Sequence, residues 1–136
     1  DPRGHAVSVV YLGCGFGLDD LVEGDNRHEF RSVDELPPLA FDHGEIVRYA
    51  RERLASKMSY STAVYGLLPK EFTLSQVQSA YEAVRGRPMD KRNFRKKLLS
   101  LGVIHETGGL WREGAHRPAK LYAFNSRTLQ EFDAGM

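Results

Sequence analysis

Two adjacent helical segments joined by a short glycine-containing turn are the feature that most constrains the fold of this chain. The first segment has one apolar stripe, because its large apolar residues recur at steps of three and four: Leu74, Val77, Tyr81 and Val84. Thr73 precedes it at a capping position, and Gly86 follows it where a helix C-terminal glycine belongs. Asp90 can cap the second segment, whose apolar stripe is Phe94, Leu98 and Leu101. We therefore expect two helices that pack against a common core.

The elements on either side of this helix pair define a fold class. Upstream, residue spacing predicts a long helix from Asp42 to about Lys57 and a short one from Ser61 through Leu68. Downstream, the residue types predict two short strands, at Val103–Glu106 and Lys120–Phe124. A β-hairpin directly after a helix-turn-helix is a wing. The predicted fold is therefore α+β, with a winged helix-turn-helix domain.

The second helix of the pair is strongly basic. Residues 85–97 contain seven Lys or Arg residues and one acid, Asp90. On a helical projection the apolar stripe occupies one side, and three basic residues lie opposite: Arg92, Arg95 and Lys96. A helix with an apolar back and a basic front can rest on a protein core and enter a DNA major groove. A solvated basic face without a partner is the alternative explanation.

The residue types on this helix suit DNA recognition. Arg can pair with two acceptors of guanine and Asn with adenine, whereas Lys and Arg also neutralise phosphates. Four side chains are predicted to face the major groove: Arg92, Asn93, Arg95 and Lys96. Five are predicted to lie near phosphates: Lys91, Lys97, Thr73, Gln76 and, from the wing, Arg117. Near the wing tip, Trp111 is expected to pack onto the third predicted helix, the one that Thr73 caps.

The N-terminal part of the chain differs in charge and pattern. Residues 1–41 carry eight acids and three bases, whereas residues 42–136 carry ten acids and sixteen bases. Short apolar or mixed segments predict strands at Ala6–Leu12 and His28–Val33, and Pro37 and Pro38 then end any regular element. We therefore expect a short β-containing part at 1–41 and the winged helix-turn-helix domain at 42–136.

Other kinds of chemistry find little support in the sequence. A single cysteine, Cys14, excludes a disulfide framework and a cysteine-based zinc site. The five histidines show no metal-ligand spacing, and the glycine-rich residues 13–17 lack the Lys-Ser/Thr pair of a phosphate-binding loop. No apolar run approaches the roughly 20 residues of a membrane span. No metal, cofactor or membrane partner is expected.

From Asp34 onward the sequence resembles the NrtR family, the Nudix-related transcriptional regulators of NAD metabolism. The resemblance rests on five segments: Leu36-Pro37-Pro38-Leu39-Ala40-Phe41-Asp42-His43, Leu67-Leu68-Pro69-Lys70-Glu71-Phe72-Thr73-Leu74, Tyr81-Glu82, Asp90-Lys91-Arg92-Asn93-Phe94-Arg95-Lys96-Lys97-Leu98-Leu99 and Arg117-Pro118-Ala119-Lys120-Leu121-Tyr122. Their order and spacing are close to those of the family's C-terminal winged-helix half. Residues 1–41 resemble the last part of a Nudix domain.

The resemblance implies a function in transcription. Family members pair a Nudix-like domain with this DNA-binding domain and act as dimeric repressors of NAD biosynthesis or salvage genes. Some respond to ADP-ribose-type metabolites. By this resemblance, the chain is expected to occupy a pseudo-palindromic operator as a homodimer, in the bacterial cytoplasm. An ADP-ribose-type effector is expected for the full-length protein.

One departure from the family concerns catalysis. The Nudix signature, Gly-x5-Glu-x7-Arg-Glu-x2-Glu-Glu-x-Gly, whose glutamates hold Mg²⁺ for pyrophosphate hydrolysis, is absent from the sequence. We therefore expect a non-enzyme that is either a fragment or a natural truncation of such a regulator. One alternative is an ADP-ribose pyrophosphatase completed by upstream sequence or a partner chain. Another is a winged helix used only for protein contacts.

Overall fold

Helices come first and a two-stranded antiparallel sheet comes last in the order of elements. The computed structural model describes residues 4, 5, 7–22, 24, 27–112, 117–133, 135 and 136, except the side chain of residue 20. Three α-helices and two strands follow one another: α1 (His43–Tyr60), α2 (Leu74–Arg85), α3 (Lys91–Ser100), β1 (Ile104–Trp111) and β2 (Ala119–Phe124). Short 3-10 turns occupy Asp19–Leu21, Val33–Glu35 and Thr62–Leu67. This order confirms the predicted α+β winged helix-turn-helix.

The ends of α2 and α3 are set by the side chains that the sequence predicted. The Thr73 hydroxyl accepts a hydrogen bond from the Gln76 amide at 3.2 Å, and the Gln76 side chain accepts one from the Thr73 amide at 2.8 Å. This reciprocal pair is a capping box. Asp90 caps α3 through a 2.8 Å bond from the Asn93 amide. Gly86 ends α2 with a φ of 68°, a left-handed conformation that glycine adopts without a steric penalty.

The two strands form the wing, and a backbone bridge joins this wing to the segment just before α2. Ile104 pairs with Phe124 and Glu106 with Tyr122, and the register then shifts before Leu110 pairs with Lys120. A short bridge adds Phe72, just before α2, to this sheet, with Phe72 and Tyr122 exchanging backbone hydrogen bonds of 2.8 and 2.9 Å. The wing is thereby fixed to the start of α2.

The core lies between the helices and the inner face of the sheet. Its buried hydrophobic residues are Met58, Val64, Leu68, Phe72, Val77, Tyr81, Phe94, Leu98, Tyr122 and Phe124. All of them except Phe72 belong to a helix, to the 3-10 turn at Thr62–Leu67 and the residue after it, or to strand β2, and Phe72 forms the bridge to Tyr122. The predicted apolar stripes are therefore the surfaces that meet, with Val77 and Tyr81 of α2 facing Phe94 and Leu98 of α3.

The C-terminal residues return to the end of α1. The Thr62 amide donates to the Gln130 carbonyl, and the Phe132 amide donates to the Tyr60 carbonyl, both at 2.9 Å. The Lys57 ammonium forms an ion pair of 2.8 Å with Glu131. Residues 125–133 contain no helix. This contact places residues 130–132 against the end of α1.

The strand predictions for the N-terminal part are wrong. The described residues of 1–41 contain no strand: residues 7–12 and 28–32 are irregular, and Val33 begins a 3-10 turn. Val7 is 99% exposed and Tyr11 is 89% exposed. The physical reason is that a strand needs a neighbouring strand to pair with, and among the described residues no strand or β-bridge includes either segment. Ala6, the first residue of one predicted strand, lies outside the described residues.

Within the described part of the chain, no helix combines the length and apolarity that crossing a membrane requires.

Tyr81→Phe tests the polar contact at the centre of this core. The buried Tyr81 hydroxyl donates a 2.9 Å hydrogen bond to the Met58 carbonyl, and burial raises the pKa of Tyr81, which keeps the donor proton in place. Its removal leaves a buried carbonyl without a partner, so we expect the free energy of unfolding to fall by about 1–2 kcal/mol. Denaturant unfolding measures this. Tyr49→Phe, at a 62% exposed position, is the control and should leave stability unchanged; equal effects at both positions would contradict the assignment.

Candidate nucleic-acid interface

Helix α3 is held by its apolar side. Phe94 and Leu98 are 3% and 1% exposed, and the Phe94 ring packs edge-on against Tyr81 of α2 with centroids 5.4 Å apart. Since these two residues lie one turn apart on one face, the opposite face of α3 is left to solvent. The fold therefore presents one side of α3 outward at a fixed angle.

Helix α3 presents five polar residues to solvent that we call the basic face: Lys91, Arg92, Asn93, Lys96 and Lys97. All five are exposed. None of its four cations forms a side-chain hydrogen bond or ion pair with another described residue, and α3 itself contains no acid. Unneutralised cations on one surface create a positive potential that attracts polyanions. The structure thus brings together five of the predicted DNA-binding residues.

Arg95 differs from the predicted position on the exposed face. It is half-buried, and its Nη2 donates a 3.1 Å hydrogen bond to the Ser75 hydroxyl in the first turn of α2. Its Nε is buried without a partner in the described part of the chain. Arg95 lies about 100° around the helix from Phe94, at the edge of the apolar stripe. The first turn of α2 covers that edge, which a projection of α3 alone does not show.

Thr73 and Gln76 lie at the N terminus of α2, and their side chains are engaged in the capping box. Thr73 is 6% exposed, so its hydroxyl is buried within the cap. The main role of these two side chains is therefore to fix the residue at which α2 begins. A helix N terminus carries a partial positive charge.

A groove of about 730 Å³ connects this end of α2 with the wing. Its lining includes Thr73, Gln76 and Ser75 from the start of α2, and Trp111 and Arg117 from the wing. Trp111 is 49% exposed, and it lines this groove together with residues of α2, the helix onto which the sequence predicted it to pack. The structure thus brings three predicted phosphate contacts, Thr73, Gln76 and Arg117, to a single groove. Residues 113–116 of the wing loop lie outside the described residues.

A charged group on the wing was missed by the sequence reasoning. The Lys120 ammonium lies 2.9 Å from both carboxylate oxygens of Glu106, and the Tyr122 hydroxyl donates to the same carboxylate at 3.3 Å. The hydrogen bond from Lys120 is the main cause that holds the pKa of Glu106 below its ordinary value. The sequence does indicate that Lys120 and Tyr122 lie on the same face of their strand, two residues apart. It does not show that Glu106 lies opposite them, because that depends on the register of the two strands.

Among the described residues, no group of three or more His, Cys, Asp or Glu side chains is placed to hold a metal ion.

Comparison with known protein families identifies the domain. Residues 64–124 match the model of the NrtR DNA-binding winged helix domain. A crystal structure of NrtR from Shewanella oneidensis is 35% identical, with a TM-score of 0.57, and the match covers 73% of this chain and 45% of that one. A crystal structure of the same protein complexed with a 27mer DNA is 30% identical, with a TM-score of 0.59, and covers 77% and 48%.

Two curated relatives differ in kind and in the length that they match. The ADPR responsive transcriptional repressor NtrR of Acinetobacter baylyi is 33% identical over 137 residues, which is 98% of this chain and 53% of that protein. An ADP-ribose pyrophosphatase of Methanocaldococcus jannaschii is 42% identical over 50 residues, 35% of this chain and 29% of that protein. The chain thus spans about half the length of the first relative. Over residues 64–124, the chain contains a winged helix domain of the NrtR DNA-binding type.

Proposed function

We propose that this chain is the DNA-binding part of a sequence-specific transcriptional repressor, with residues 42–136 as the DNA-binding domain and 1–41 as the end of a Nudix-like domain. The observation that carries the proposal is the basic face of α3, whose four cations have no partner in the described part of the chain. Repression follows from occupancy, because a protein seated on an operator excludes other proteins from it.

The roles proposed for individual residues follow from their placement. Arg92, Asn93 and Lys96 contact base edges, and Lys91 and Lys97 contact phosphates on either side of the groove. At the other end of the surface, the start of α2 and Arg117 contact a further phosphate. Arg95 was predicted to read a base as well; its Nη2 already donates to Ser75, which leaves Nη1 for such a contact.

The proposal extends to the partners of the full-length protein. A relative that covers 98% of this chain is an ADPR responsive repressor, which supports an ADP-ribose-type effector for this protein and regulation of NAD biosynthesis or salvage genes. A homodimer would read two half-sites about one helical turn, or a multiple of it, apart. Such a repressor works on the cytoplasmic chromosome.

Arg92→Ala tests the assignment of the basic face. If Arg92 reads a base, its loss should weaken binding to a duplex enriched from a randomised pool by about 1–3 kcal/mol and relax sequence preference at one position. Fluorescence anisotropy at several salt concentrations measures the affinity and the slope of log affinity against log salt concentration. The charge-matched control is Arg53→Ala, an exposed residue of α1, which should leave both quantities unchanged. Equal losses from the two variants would show that Arg92 acts only through net charge.

Glu106→Gln tests the wing. Because Glu106 holds Lys120, its neutralisation should free that ammonium for a phosphate and steepen the dependence of log affinity on log salt by about 0.9.

The bond between Glu106 and Lys120 also depends on pH. Because the pKa of Glu106 in the folded state lies below its ordinary 4.5, the bond is present above pH 4.5 and is lost as the pH falls through the lowered pKa. A carboxyl NMR titration should place the Glu106 midpoint below 4.5, and Lys120→Met should raise it. An unchanged midpoint in that variant would refute the contact.

Hydrolysis of ADP-ribose is the second candidate function, favoured by the similarity to an ADP-ribose pyrophosphatase over 50 residues. A turnover assay with ADP-ribose and Mg²⁺ on this chain separates the two functions. We expect no product above background, because the glutamates of the Nudix signature are absent from the sequence. Turnover that depends on Mg²⁺ would establish the second function.

A further inference from the structure

One guanidinium joins three separate parts of the chain at the end of α2. Arg51 lies in the middle of α1, where its Nε donates to the Val84 carbonyl at 2.9 Å and its Nη2 donates to the Ala83 carbonyl at 2.6 Å. Its Nη1 forms a 2.6 Å ion pair with Asp34, from the segment that precedes α1. Each of the three nitrogens thus has its own acceptor. We call this arrangement the Arg51 junction: Arg51, Asp34 and the carbonyls of residues 83 and 84.

The two carbonyls belong to the last turn of α2, where backbone oxygens have no partner within the helix. Such oxygens carry a partial negative charge, and a cation beside them stabilises the helix end. Gly86 follows immediately, with a φ of 68°. A Cβ at Gly86 would lie 3.2 Å from Nη2 of Arg51, so the guanidinium packs directly against the turn between α2 and α3.

The same turn sets the starting point of α3. Glu82 accepts a 2.8 Å bond from the Met89 amide, and Gln78 donates a 3.0 Å bond to the Met89 carbonyl. These bonds hold the α3 side of the turn, whereas the Arg51 junction holds the α2 side. Arg51 therefore contacts the turn that sets the orientation of α3, and with it the orientation of the basic face.

Asp34 brings the N-terminal segment into this contact. It lies in the 3-10 turn Val33–Glu35, and Ser32 caps that turn by accepting from the Asp34 amide. The Asp34 side chain is 64% exposed, whereas that of Arg51 is 25% exposed. The Arg51 guanidinium is thus largely covered by α2, and its remaining exposed edge is occupied by a carboxylate from outside the helix bundle.

We propose that Arg51 is a positioning residue for DNA recognition, and that Asp34 makes this positioning depend on where the segment before α1 lies. This inference rests on the proposed function. A segment displaced from α1 withdraws the carboxylate, and the guanidinium is then free to leave the carbonyls of α2. The turn before α3 loosens, and sequence-specific binding weakens more than non-specific binding. The charge of the DNA-facing surface does not change, because neither residue belongs to the basic face.

Three variants test the Arg51 junction. Arg51→Lys keeps the charge, but a single ammonium cannot reproduce three bonds in a planar fork. Asp34→Asn removes only the carboxylate charge. Glu52→Gln is the matched control, because Glu52 forms an exposed ion pair with Arg48 at 2.7 Å on the same helix and belongs to no bond of the junction.

The first measurement is amide hydrogen exchange, which reports local opening. The Gly86 amide donates to the Glu82 carbonyl at 2.8 Å, and we expect its exchange to accelerate about tenfold or more in Arg51→Lys. In Asp34→Asn we expect about threefold, in line with the modest strength of an exposed ion pair. The double variant should match Arg51→Lys alone, because both act through one guanidinium. Exchange at Phe72 and Tyr122, which pair in the sheet, should stay unchanged and so excludes a general loss of stability.

The second measurement is DNA affinity. For a duplex enriched from a randomised pool, affinity should fall in the same order as exchange rises, whereas affinity for a mixed-sequence duplex and its salt slope should stay unchanged. Exchange rates at Gly86 that match the wild type in both variants, or effects that add in the double variant, would overturn the inference. A wild-type chain that binds neither duplex would overturn the proposed function instead, and the exchange comparison would still decide the role of Arg51.

Discussion

The contact between Tyr81 of α2 and Phe94 of α3 is the interaction on which the proposed DNA-binding surface depends. The two rings meet edge-on at 5.4 Å and are almost fully buried, and the Tyr81 hydroxyl is bonded to α1 through Met58. One aromatic residue thus ties three helices together. Because this contact fixes the apolar side of α3, it also decides which side faces solvent. The basic face is exposed as a consequence of packing.

The surface that results is assembled from three elements of different origin. Helix α3 supplies the four cations of the basic face, which have no partner among the described residues. The start of α2 supplies a capped N terminus, and the wing supplies Arg117 beside a shared groove. The bridge between Phe72 and Tyr122 fixes the start of α2 to the wing. Charge alone would give non-specific DNA binding. The fixed angle between the three elements is what allows the surface to distinguish one base sequence from another.

Sequence reasoning succeeded where the determining interaction is local. Thr73 and Asp90 cap their helices through residues three positions away, and Gly86 supplies a conformation that glycine favours, so each boundary can be inferred from a few neighbouring residues. It failed where the partner is distant. Arg95 is half-buried because α2 crosses beside it, and Glu106 meets Lys120 because of an irregular strand register.

The N-terminal strands failed for a related reason. Residues 7–12 have the composition of a strand, but composition gives only a preference, and strand formation needs a pairing edge. No described residue supplies that edge, and side chains such as Val7 and Tyr11 remain exposed. By contrast, the apolar stripes of α2 and α3 carried enough information, because each stripe found its partner in the next element of the same chain.

The most direct test of the central claim is NMR mapping of the DNA contact. The isotope-labelled chain would be titrated with a duplex enriched from a randomised pool. The proposal predicts that the largest shift changes fall on the basic face of α3, the first turn of α2 and Arg117. Changes confined to the groove between α1 and the end of α2, which Arg48, Arg85 and Arg87 line, would contradict it, as would the absence of any change.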